Sequence, residues 1–213
     1  MQRKLTLRLS VFTAVLAALA LAPLSALAQA HAHVGHVAKS WSDTPGRQGL
    51  LPVLEQEAAV AAQHAGFMAG KTDNLQWMQT HARHVRHAID PSSEPGGGPG
   101  KGYGVLKSAQ GVVAHIGFAA KSPDASDNVK LHAVHIATSA QDAVEWAQRI
   151  MTLSGQVLAA RSADEAAGPA REIQTLATQI VEGAGAKSWK QGEGGIAQAR
   201  QHLGFLMKGE GMM

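Results

Sequence analysis

Apolar residues recurring at alternating steps of three and four constrain this chain more than any other feature. Leu51, Leu54, Ala58, Ala61, Ala65 and Met68 follow that rhythm, which lines one face of an α-helix and neither face of a strand. Leu75, Met78, Ala82, Val85 and Ile89 repeat it, as do Ala133, Ala137, Ala140, Val144, Ala147, Met151, Ser154 and Leu158. Alanine at so many of these positions favours helix and lets neighbouring helices approach closely. Aromatic residues make up only 4% of the chain, which argues against a β-sandwich core. The expected fold is therefore all-α: an up-and-down helical bundle of four main helices and two shorter C-terminal ones.

Local signals set the boundaries. The first helix is expected to open near Pro52 and end at Gly70, and the second to follow a Thr72/Asp73 cap and stop before Pro91. The third should cover Val105–Lys121 and the fourth Asp127–Ala160. A capping box, Ser162-Ala163-Asp164-Glu165, opens the fifth, which is expected to kink or restart at Pro169 and stop at Gly183. A glycine-rich turn around Trp189 leads to a last helix near Ile196–Met207. The run Pro95-Gly96-Gly97-Gly98-Pro99-Gly100 reads as a loop and no phosphate cradle, because no strand precedes it. No internal repeat is strong enough to use.

The N-terminus reads as a secretory signal. Arg3, Lys4 and Arg8 precede the largely apolar stretch Leu9–Ala22, and Ala28-Gln29-Ala30 offers a small-residue cleavage site. The organisation expected is a signal peptide over 1–30, a flexible histidine-rich arm over 31–49 and a helical bundle domain over 50–213. Export places the mature chain in the periplasm or outside the cell, off the membrane once the signal is cut. The alternative is an uncleaved anchor, since the uncharged stretch Leu9–Ala38 is long enough to span a bilayer. Without the signal, sixteen basic residues face sixteen acidic ones, and this balance gives no reason to expect nucleic-acid binding. The absence of cysteine excludes disulfides, thiolate metal sites, a catalytic thiol and covalently attached c-type haem.

A cut after Ala30 would expose His31-Ala32-His33-Val34-Gly35-His36. The free amine, two amides and the His33 imidazole would then wrap a square-planar Cu(II) or Ni(II) ion. A cut after Ala28 is equally legal; it puts Gln29 first and removes that chelate.

The chain has eleven histidines, and their helical phases matter more than their number. On the second helix His81 and His84 widen the apolar arc, while His87 falls among Gln79, Thr80 and Arg83 and faces water. On the fourth, His132 and His135 share an i, i+3 edge able to reach one site. His115 lies on a ridge of Gly104, Ser108 and Gly111, and His64 stands one turn from Met68 and two turns from Glu57. The candidate metal ligands are His31, His33 and His36 on the arm, with His64, His81, His84, His115, His132 and His135 at one interior site. Copper or zinc is the expected ion. The competing account is that each imidazole is hydrogen-bonded separately.

The ridge beside His115 has two readings: close helix packing, or room for haem b held by His115 with His84, His132 or His135. Met68 and Met78 sit in core stripes, where methionine fills gaps more often than it ligates. The Gly183–Glu193 turn has Gly183, Gly185 and Lys187 where a calcium loop needs early acidic ligands. No Gly-x-Ser-x-Gly elbow, His-Glu-x-x-His helix or nucleotide loop marks an enzyme. The function expected is copper or zinc binding for sequestration or delivery. The alternatives are a b-type haem electron-transfer bundle and a ligand-free interaction module.

Overall fold

The computed structural model describes residues 27–185 and 188–213. Among them the chain is all-helical, with α1 (Leu27–Ala38), α2 (Leu50–Ala69), α3 (Leu75–Ile89), α4 (Val105–Lys121), α5 (Asp127–Ala159), α6 (Ala163–Glu182) and α7 (Ile196–Gly209). The signal-peptide reading falls almost wholly outside the described residues.

The expected helices are present, and their ends follow from local chemistry. Asn74, rather than the expected Thr72/Asp73 pair, caps α3 by accepting the Trp77 amide at 2.9 Å. Ser126 does the same for α5 through the Val129 amide at 3.0 Å. Ser162 caps α6 by accepting the Glu165 amide at 3.3 Å, and the Glu165 carboxylate accepts the Arg161 amide at 2.8 Å. Pro169 does not restart this helix, which runs unbroken to Glu182. It is the seventh residue of the helix, past the first turn, so the amide bond to the Glu165 carbonyl is lost and the burial of Ala166, Ala170 and Ile173 offsets it.

The segment expected as an extended arm is instead helical over Leu27–Ala38, and α1 packs on α4. Ala30, Val34 and Val37 are fully buried; spaced at i, i+4 and i+7, they form a narrow apolar stripe that the histidines around it had masked. Gly49 makes the sharp return to α2 possible, because a Cβ there would lie 2.6 Å from the Ala38 carbonyl carbon.

The longest helix, α5, is the spine: α3, α4, α6 and α7 all pack on it, and α2 lies against α3, α4 and α6. Alanine is the commonest core residue, set among larger anchors that include Leu51, Leu54, Met68, Met78, Ile116, Ile136, Ile150 and Ile173. Each such anchor contributes roughly 1.5–3 kcal/mol by leaving water. No helix among the described residues is long and apolar enough to cross a membrane.

Two buried carboxylates tie the glycine-rich loops to this frame. Glu57 on α2 accepts the amides of Lys101, Tyr103 and Gly104 at 3.1, 2.8 and 3.1 Å. Asp142 on α5 accepts those of Gly192 and Gly194 at 2.8 and 3.2 Å. Glu57 thus holds this loop to the helix. The small ridge on α4 is packed as well: Leu50 fills the space beside Gly111, and Pro91 with the Ile89 carbonyl closes on Gly104. That is the close-packing reading of the ridge.

Candidate metal centres

Nine of the eleven histidines gather into three groups of three, each built across two helices. His33 and His36 on α1 meet His115 on α4. His64 on α2 meets His81 and His84 on α3. His132 and His135 on α5 meet His202 on α7. In each group one helix supplies an i, i+3 pair and the other a single ring, so the three imidazoles point inward from opposite walls.

All three groups converge through the same atom. The His115 Nδ1 lies 3.1 Å from that of His33 and 3.3 Å from that of His36. The His64 Nδ1 is 2.8 Å from that of His81 and 3.3 Å from that of His84. The His202 Nδ1 is 3.1 Å from that of His132 and 3.2 Å from that of His135. An imidazole nitrogen has one in-plane position, holding either a proton or a lone pair. The central nitrogen therefore satisfies at most one of its two contacts by hydrogen bonding. A cation at the focus uses all three lone pairs together. Two nitrogens on one tetrahedral ion lie about 3.3 Å apart when each is about 2.0–2.1 Å from the metal. Even the closest observed pair reaches that separation by opening about 0.5 Å.

The protonation states suit ligation. Burial, followed by the charges of His84 and His81, lowers the pKa of His64 to about 4. Burial and then His135 and His132 bring His202 to about 4 as well. His36, His81, His115 and His135 are lowered first by burial and then by neighbouring imidazoles, and His132 by burial. Near neutral pH these rings are uncharged and their lone pairs are free. Among the described residues the buried His81 Nε2 has no hydrogen-bond partner, so they give that ring no polar contact beyond the cluster.

Each group also carries an aromatic wall. Phe118 packs on His33 and His115 with ring centroids 5.3 and 5.8 Å away. Phe67 lies 5.5 and 5.3 Å from His64 and His81. Phe205 is 5.8 Å from both His132 and His202. A tryptophan stands at every group too: Trp41 against His36 and His115, Trp77 against His81 and Trp189 against His135.

The expected residues therefore come together, though in a different partition. One interior site becomes two, with a third formed where the arm was expected, because α1 carries His33 and His36 onto α4. His115 meets neither His84 nor His132 or His135. His31 joins no group: its Nε2 contacts the Glu210 carboxylate at 2.9 Å. His87, expected to face water, is also outside the groups, with its Nδ1 3.4 Å from the Glu94 carbonyl oxygen.

His202 completes the third group and was missed, because its short helix shows only a weak stripe. A signal for it does exist. His64-Ala65-Gly66-Phe67, His115-Ile116-Gly117-Phe118 and His202-Leu203-Gly204-Phe205 share the pattern His-x-Gly-Phe. His33/His36, His81/His84 and His132/His135 share His-x-x-His. The chain thus repeats one two-part device three times, each lone histidine belonging to the first pattern and each pair to the second. No protein-family model, curated protein or solved structure matches this chain.

Proposed function

We propose that this is an exported copper- or zinc-binding protein that takes up one ion at each of its three histidine groups, for sequestration or delivery. The observation that carries the reading is the threefold convergence of Nδ1 atoms within 3.3 Å, in contacts that hydrogen bonding alone cannot satisfy. Separate boundary histidines, each with its own acceptor, describe only His31 and His87. Neutral imidazoles are good ligands for copper and zinc. Haem is the weaker alternative, because a porphyrin iron needs open faces, whereas these rings meet one another at hydrogen-bond distance.

Export rests on the basic and apolar N-terminus. Of the two processing points, a cut after Ala28 fits the helix better: it keeps Ala30, which is 1% exposed and donates its amide to Asp124 at 3.2 Å. Gln29 is then the first residue, the amine chelate does not form, and His33 serves the first group.

Metal analysis of tag-free protein after dialysis against copper or zinc tests the proposal. The result expected is three ions per chain, one for each group. Substoichiometric metal with an unchanged melting temperature would reject it.

A further inference from the structure

We infer that the three groups select copper in its monovalent state, Cu(I), over divalent zinc or copper. The inference rests on the reading of these groups as metal centres and names the ion they hold best. Three independent copies of one arrangement support it.

Among the described residues the donor sets lack any anion. Each group consists of three histidines with no aspartate or glutamate among its ligands. The nearest buried carboxylates on the same helices, Glu57 and Asp142, are already bound to the loop amides of Tyr103 and Gly104 and of Gly192 and Gly194. A dication in such a site keeps its full double charge. Ion desolvation grows with the square of the charge, so moving a dication from water costs about four times as much as moving a monocation of similar size.

The surroundings increase that difference. Phe67, Phe118 and Phe205 each lie against two of the three ligand rings, and each is roughly half exposed: 45%, 52% and 48%. Each therefore borders both its ligand rings and the solvent, and crowds the approach of a fourth, water ligand. Every phenylalanine among the described residues occupies this position. Zinc keeps four ligands and Cu(II) prefers a tetragonal set, so both depend on that water. Three imidazoles are enough for Cu(I), and aromatic faces attract a cation without supplying a donor atom.

The experiment uses the full-length, tag-free protein, titrated anaerobically with Cu(I) under ascorbate and a competing chelator, and in parallel with Zn(II). The expected result is three Cu(I) per chain, with Zn(II) held at least about tenfold more weakly. On admission of air at pH 7, the copper-loaded protein should remain silent in electron paramagnetic resonance. Phe118→Asp, at an exposed position, places a carboxylate beside the first group and should narrow the preference there by about tenfold. Zinc bound as tightly as Cu(I), or a Cu(II) signal approaching the copper content in air, overturns the inference while leaving metal binding intact. Failure of both ions to bind instead removes the reading on which it rests.

Discussion

The indole of Trp189 stacks on the imidazole of His135, with centroids 3.8 Å apart and planes 24° from parallel. Trp189 lies in a loop with little secondary structure, and Asp142, two turns along α5 from His135, holds that loop through the Gly192 and Gly194 amides. Asp142→Asn puts an amide NH2 where one of those amides needs an acceptor. We expect a stability loss of about 1–3 kcal/mol in urea denaturation. A red shift in tryptophan emission and weaker binding at the third group should accompany it, with the first two groups unchanged.

Each lone histidine is the hub of its group. His64→Ala, His115→Ala and His202→Ala should each remove one of the three equivalents, and the triple variant should remove all of them. The groups share no ligand, so the losses should add. His31→Ala and His87→Ala should leave the stoichiometry at three. Plasma emission spectroscopy of dialysed variants checks this count.

Without metal, the histidine groups make folding sensitive to acid. His64 and His202 have pKa values lowered from 6.5 to about 4 in the folded chain. Below pH 6.5 the unfolded chain therefore binds protons that the folded one resists. Stability is fully present above 6.5, declines as the pH falls towards 4, and changes little from these two groups below that. Thermal melts followed by circular dichroism should show that fall, and His64→Gln combined with His202→Gln should flatten it.

Glu57→Gln tests a role in architecture rather than in chemistry. The carboxylate is fully buried and accepts three loop amides. The neutral amide keeps one acceptor oxygen, so a loss of about 2–4 kcal/mol is expected. Metal stoichiometry should remain at three if the variant folds; loss of a single equivalent in folded protein would instead give Glu57 a part in binding.

Much of the bundle was legible because alanine, leucine and methionine stripes report helix phase directly, and the ends of α3, α4 and α5 lie within a residue of expectation. The first helix was not legible. His31, His33 and His36 dilute its apolar stripe, and only packing on α4 shows that Ala30, Val34 and Val37 form its buried edge. Helical phase correctly placed His81, His84, His132 and His135 at the core margin, but phase within one helix cannot say which partner helix a margin meets. The partition into three groups depended on that tertiary fact. His-x-Gly-Phe was readable in principle, yet its copies are only four residues long and lie at unequal intervals on otherwise dissimilar helices.

The groups also differ in what they join. The ring contacts span 82 residues between His33 and His115, 70 between His132 and His202, and only 17 between His64 and His81. In a chain without cysteine, a bound ion would act as a removable clasp in place of a disulfide, and longer closed loops restrict the unfolded chain more. Calorimetry should accordingly show His115→Ala losing more of the metal-induced gain in melting temperature than His64→Ala. Taking up metal would thus tighten the bundle chiefly by fastening its first helix to its middle.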